Sequence, residues 1–142
     1  MKNKKTIKSY LFERDGHKCW FCSKELFYRQ MSLDHYLPKS KGGPEEIFNY
    51  VLSCKTCNKL KRSRVPADYQ EVWINLLKQA FKDRKIYLAI PMLDYEAVLS
   101  IMEEVTRLEA LNRYVVFQSL NHRIYVRDNS IKKIIQIANW AD

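Results

Sequence analysis

Residues 50–61 read YVLSCKTCNKLK. Within twelve letters the chemistry changes three times. Tyr50–Ser53 is an aromatic and β-branched run, which suits a strand. Cys54 and Cys57 form a C-x-x-C pair. Lys55–Arg64 then reads as a helix that ends before Pro66. A cysteine pair of this spacing, set between a strand and a helix, can wrap one side of a metal ion. It raises the question of what closes the other side.

The answer lies upstream. Cys19 and Cys22, in CWFC, are the only other cysteines of the 142-residue chain. A thioredoxin-like redox role needs one such motif in a βαβ setting, not two in a short basic segment. In a reducing compartment lasting disulfides are disfavoured. Four thiolates at paired short spacing suit tetrahedral zinc, with bonds of about 2.3 Å. Four protein ligands close the coordination sphere, so this zinc is expected to hold structure and do no chemistry. Metal binding would also supply folding free energy that a segment of some 60 residues lacks.

Between the pairs, Met31–Asp34 reads as a second short strand and Tyr36–Phe48 as a loop containing Pro38, Gly42 and Gly43. The expected unit is a β-hairpin with a long loop, followed by a helix and clamped at its base by zinc. Asp34, His35 and Asn58 could then converge across the groove between hairpin and helix. Adjacent strand residues point to opposite faces, so Asp34 and His35 cooperate only if the chain bends where the loop opens.

Charge adds a second line. The net charge is +9. Residues 1–66 hold fifteen Lys/Arg against six Asp/Glu, and residues 67–142 hold ten of each. The whole excess lies in the first half, a bias that attracts polyanions, of which nucleic acid is the commonest in a cell. No stretch reaches the roughly 18 consecutive apolar residues of a membrane helix. The basic N-terminus lacks the apolar core of a secretory signal. A soluble, cytoplasmic protein is expected.

Taken together, RDGHKCWFC (14–22), LDHYLPKSKGG (33–43) and NYVLSCKTCNKLK (49–61) resemble the HNH endonucleases of the ββα-metal type, from about Arg14 to Pro66. The resemblance implies roles. His35 is the general base that activates water. Asp34 binds the catalytic divalent ion. Asn49 is the central asparagine, which orders the loop and helps orient the histidine. Asn58 stands at the last motif position, where many relatives have histidine, and can ligate the ion through its amide oxygen. An amide suits hard Mg²⁺ or Mn²⁺ better than soft ions. The implied partner is DNA, read as double-stranded. Lys39, Lys41, Lys59, Lys61 and Arg62 are the candidate phosphate contacts, Lys61 with the best individual case. His17 and His122 are read as structural or exposed.

Residues 67–142 are expected to be an α-rich appendage. Val72, Trp73, Leu76, Leu77, Ala80 and Phe81 repeat at helical spacing, and Val98, Ile101, Met102, Val105 and Leu108 form a second stripe. Tyr114–Gln118 and Arg123–Val126 read as two short strands around a turn. Asp128-Asn129-Ser130 is expected to start a last helix through Ile131, Ile134, Ile135 and Ala138. The stripes are read as core, the other reading being a homodimer face. The overall expectation is an α+β chain with a zinc-stapled nuclease module over 1–66 and a region of unassigned role over 67–142. Two competing readings are a zinc-ribbon nucleic-acid binder without hydrolysis and a protein-interaction adaptor acting through the C-terminal half.

Overall fold

The computed structural model describes residues 3–137, and these divide into two compact units. Among the described residues the first comprises 3–45 and 49–69, the second 46–48 and 70–137. The α+β class expected from the sequence holds.

The first unit opens with α1 (Lys4–Arg14), capped by the Asn3 side chain, whose Oδ1 accepts the Lys5 N–H at 2.7 Å. Capping satisfies one of the otherwise orphaned amides of the first turn. Ile7 and Leu11, four apart, are its buried residues. Gly16 and His17 take left-handed backbone (φ 67° and 63°) and turn the chain into the CWFC knuckle. β1 (Met31–His35) pairs antiparallel with β2 (Tyr50–Cys54), in the register His35 opposite Tyr50 and Asp34 opposite Val51. α2 (Lys55–Lys61) follows without a break. It is shorter than its lysine-rich sequence suggests, because Arg62 adopts φ 53° and stops it.

Between β1 and β2 the loop folds back tightly. Gly42 takes φ 88° after a short 3₁₀ turn. A Cβ at Gly43 would stand 1.8 Å from the Leu37 carbonyl oxygen, so only glycine fits there. After Glu45 the chain contributes three residues to the second unit and returns to the first at Asn49.

The second unit contains α3 (Tyr69–Lys82, from Gln70 onward), β3 (Tyr87–Leu88), α4 (Tyr95–Glu103), β4 (Arg107–Leu111), β5 (Val115–Gln118), β6 (His122–Arg127) and β7 (Ser130–Gln136). The strands form one sheet in the order β3-β7-β6-β5-β4, antiparallel except for the β3–β7 pair. The expected stripe of α3 is buried through Trp73, Leu76, Leu77, Ala80 and Phe81. Phe48 packs edge-on against both Trp73 and Phe117, each with ring centroids 5.3 Å apart.

Two expectations for this unit need correction. Residues from Asp128 do not start a helix. Asp128 and Asn129 both take left-handed backbone (φ 53° and 55°) and form a tight hairpin turn into β7. Turns with two positive φ values match the twist of paired strands, and Asp and Asn tolerate them. The β-branched run Ile131, Ile134 and Ile135 then pairs along β6 rather than coiling. A bulge at Tyr125/Val126 breaks its alternation, which is why the spacing imitates a helix. Ala138 lies outside the described residues. The second correction concerns Val105 and Leu108. α4 ends at Glu103, Val105 is buried just beyond it, and Leu108 belongs to β4. The region thus carries a five-stranded sheet where an α-rich one was expected.

The β6–β7 turn is tied to residues 46–48. The Glu46 carboxylate, 5% exposed, accepts the backbone N–H groups of Asp128 and Asn129 at 2.7 and 2.8 Å. Asn129 Oδ1 in turn accepts the Ile47 N–H at 2.7 Å. Burial, helped by the nearby Asp128 charge, lifts the Glu46 carboxyl from the ordinary 4.5 to about 7, against the pull of the two N–H donors and Lys132. The folded protein therefore holds this proton more tightly than the unfolded chain does. The stability this contributes is fully present below pH 4.5 and is lost as pH rises through about 7. In urea unfolding, the stability of wild type relative to Glu46→Gln should fall by on the order of 3 kcal/mol between pH 4 and 8. A difference that stays flat across that range refutes the linkage.

Candidate metal centre and nuclease site

Two knuckles build the cysteine cluster. In the first, an antiparallel bridge between Lys18 and Glu25 turns the chain at CWFC, and the Cys19 N–H donates to the Lys24 carbonyl at 3.0 Å. The Trp20 N–H reaches across to the Leu52 carbonyl at 2.9 Å, fixing this knuckle to β2. The second knuckle forms where β2 runs into α2. All four sulfurs lie within 4.8 Å of one another, and Cys22 Sγ is 3.9 Å from Cys54 Sγ. A tetrahedron with bonds of about 2.3 Å has edges of about 3.8 Å, so the cluster is compatible with structural zinc.

Backbone amides also point at the sulfurs. The Cys54 N–H donates to Cys19 Sγ and the Cys57 N–H to Cys54 Sγ, both at 3.3 Å. Burial alone would raise the Cys19 thiol, but hydrogen bonds from surrounding backbone groups outweigh it and bring the thiol down to about 7. Burial and the neighbouring sulfurs push Cys57 the other way, up to about 12. Without a cation the four cannot all ionise together. Cys19 and Cys54 are buried, Cys57 is intermediate and Cys22 exposed.

The catalytic candidates lie at the other end of the hairpin. Asp34 Oδ2 is buried and has no hydrogen-bond partner. The nearest cation is Lys61 Nζ, at 3.7 Å, with side-chain exposures of 8% for Lys61 and 16% for Asp34. Burial raises the Asp34 carboxyl, and Lys61 and His35 partly offset it. Lys61 Nζ also donates to the His35 backbone carbonyl at 2.8 Å, pinning the end of β1 to α2. The His35 ring faces elsewhere, as strand alternation requires. Its Nε2 is 2.7 Å from Glu45 Oε1, and its centroid is 4.8 Å from that of Tyr50. Tyr50 donates its hydroxyl to Glu45 Oε2. That bond, followed by the His35 contact, holds the Glu45 carboxyl below its usual range against burial.

Asn49 is fully buried. Its Oδ1 accepts the Leu37 N–H at 2.8 Å, and its Nδ2 donates to the carbonyls of Leu37 (3.2 Å) and Pro44 (3.0 Å). One side chain thus ties both ends of the loop that follows His35. The Tyr36 N–H donates to the Asn49 carbonyl at 2.7 Å and extends the hairpin by one bond.

Residues 19–73 match the family described as HNH endonuclease. This stretch is similar to an HNH module. The match covers under half of the chain. No curated protein matches it. Among solved structures, the Type II-C Cas9 enzyme from Actinomyces naeslundii is similar at 22% identity over 51% of this chain, with a TM-score of 0.40. The chain spans 8% of that protein's length, and a likeness of this degree carries no argument about activity.

The remaining candidates take the following positions. Asn58 is exposed on α2, one turn before Lys61, and among the described residues no hydrogen bond joins it to Asp34 or His35. Lys39, Lys41, Lys59 and Arg62 are exposed. Lys61 lies inside the site. His17 stacks on Phe12 with centroids 4.1 Å apart and meets Glu13 at 3.1 Å, while His122 begins β6. Glu45 was not foreseen. Its signal was faint: two adjacent acids, Glu45 and Glu46, in a half otherwise poor in acid and closely preceding Asn49.

Purified protein should carry one zinc per chain by metal analysis. Cys19→Ser and Cys54→Ser should each lose stoichiometric zinc and the hydrogen-exchange protection of β1 and β2. Full protection in the metal-free variants would mean that the four sulfurs do not hold the fold.

Proposed function

We propose that the HNH module is a metal-dependent endonuclease that hydrolyses DNA phosphodiester bonds. The observation that carries this reading is the Asp34 Oδ2 beside His35 at the end of β1, buried without a hydrogen bond and with only the Lys61 ammonium, 3.7 Å away, as counter-charge. A carboxylate oxygen out of water without a hydrogen bond is unfavourable, and a divalent cation would relieve it more fully than the distant ammonium does. Asp34 and the Asn58 amide are a hard oxygen set, suited to Mg²⁺ or Mn²⁺. When bound, such an ion acts as a Lewis acid on the phosphate and stabilises the departing oxygen.

The chain's own residues supply the rest. A neutral imidazole, with an ordinary pKa of about 6.5, can take a proton from water near working pH. His35 is the general base. Lys61 fixes the His35 carbonyl and lends positive charge beside Asp34. Asn49 shapes the loop around the base. Lys39, Lys41, Lys59 and Arg62 contact backbone phosphates of a duplex, positioning it without reading sequence.

His35→Ala should lower plasmid nicking in Mg²⁺ by about 10²- to 10⁴-fold, with zinc content and DNA affinity unchanged. Cleavage at the wild-type rate in that variant would sink the nuclease reading and leave a zinc-bearing nucleic-acid binder. Duplex affinity should fall with salt at a log–log slope of about −3.6 if four phosphates are neutralised. A slope near zero would remove the basic residues from the interface.

A further inference from the structure

We propose that Glu45 is the positioning residue for His35, accepting the Nε2–H so that the ring presents its lone pair at Nδ1. The catalytic consequence rests on the nuclease reading; the geometric claim does not.

A neutral imidazole carries one proton and one lone pair on its two nitrogens, and the partner of one nitrogen decides the role of the other. Glu45 Oε1 lies 2.7 Å from Nε2. An ionised carboxylate only accepts, so Nε2 must carry the hydrogen. The nitrogen left to take a proton from water is Nδ1.

Glu45 is itself held. Its second oxygen accepts the Tyr50 hydroxyl, and Lys39 Nζ lies 3.9 Å from Oε1. Tyr50 is the residue directly opposite His35 in the hairpin register. The carboxylate therefore bridges two cross-strand neighbours, one through each oxygen. Asn49 fixes the carbonyl of Pro44, the residue before Glu45. The loop is anchored one peptide away from the carboxylate it delivers.

The proton balance is simple. A water proton moves to Nδ1, and the water oxygen bonds to phosphorus. The bond from phosphorus to the leaving oxygen breaks, and that oxygen takes a proton from solvent. Glu45 stays ionised throughout and faces the ring on its far side. It meets the ring at Nε2, away from the Nδ1 that takes the proton, so its effect runs through His35. In a buried triad, loss of the carboxylate's orienting role costs about 10⁴-fold. Glu45 is 36% exposed, so roughly 100-fold is expected here.

The test uses the full-length, zinc-loaded chain and three variants: Glu45→Ala, Glu45→Gln and Tyr50→Phe. The first readout is ¹⁵N–¹H NMR of the histidine rings, with the His35 signal assigned by its loss in His35→Gln. Wild type should show a slowly exchanging Nε2–H resonance, retained in Glu45→Gln, whose amide oxygen still accepts, and lost in Glu45→Ala. The second readout is nicking kinetics. Glu45→Ala should lose about 100-fold in kcat with KM for plasmid unchanged. Glu45→Gln and Tyr50→Phe should fall between it and wild type.

An Nε2–H signal that survives in Glu45→Ala overturns the proposal. So does a Glu45→Ala variant whose kcat is unchanged or raised while His35→Ala is dead, the raised case marking Glu45 as a block on the base. If wild type does not nick, or His35→Ala nicks normally, the nuclease reading falls. The ring resonance then still decides whether Glu45 sets the orientation of His35.

Discussion

Four sulfurs held within 4.8 Å of one another are the constraint on which the N-terminal unit depends. Such a cluster is repulsive unless a cation sits among the thiolates. It also joins segments far apart in sequence, since Cys19 and Cys22 lie more than thirty residues before Cys54 and Cys57. Closing that loop places the CWFC knuckle on β2, as the Trp20–Leu52 hydrogen bond records. It also fixes where α2 begins. Lys61 stands at the end of that short helix and reaches both Asp34 and the His35 carbonyl. The placement of the site's cation is thereby set from the opposite end of the hairpin.

A division of labour follows from strand alternation. Asp34 faces α2 and Lys61, whereas the His35 ring faces the loop and Glu45. The chain bends only past β1, at Tyr36 and Leu37, so the bend that would bring Asp34 and His35 to one face is not made. Asn49 then governs the loop through three side-chain hydrogen bonds. Gly43 allows the close approach to Leu37 that these bonds require. The loop is a shaped part of the site and not a flexible connector.

Much of this unit was legible in the sequence, because its signals are chemical and local. Two C-x-x-C pairs, a Pro/Gly loop between short apolar runs, and the Asp34–His35 pair each point one way. Glu45 was not legible, since its role depends on a loop conformation that no periodicity encodes. Lys61 was read as a phosphate contact, and its inward turn was not legible because charge in a lysine-rich run says nothing about which member turns inward. In the second unit, helical spacing in α3 identified a buried face correctly. The same criterion failed at Ile131, Ile134 and Ile135, where a bulge displaced strand alternation and the Asp128–Asn129 turn chemistry was decisive.

Residues 46–48 carry a consequence for how this chain can be taken apart. Phe48, fully buried, has Trp73 and Phe117 as its ring neighbours. Both lie beyond Pro66, where the sequence resemblance ends, and Phe117 lies beyond the matched stretch 19–73 as well. A fragment stopping at residue 66 or 69 would keep every candidate site residue yet take Trp73 and Phe117 from this phenylalanine, the Asn129 acceptor from the Ile47 N–H, and both N–H donors from the Glu46 carboxylate. Swapping or minimising the module by trimming its tail would thus strand an aromatic plug in the very loop that Asn49 and Glu45 organise.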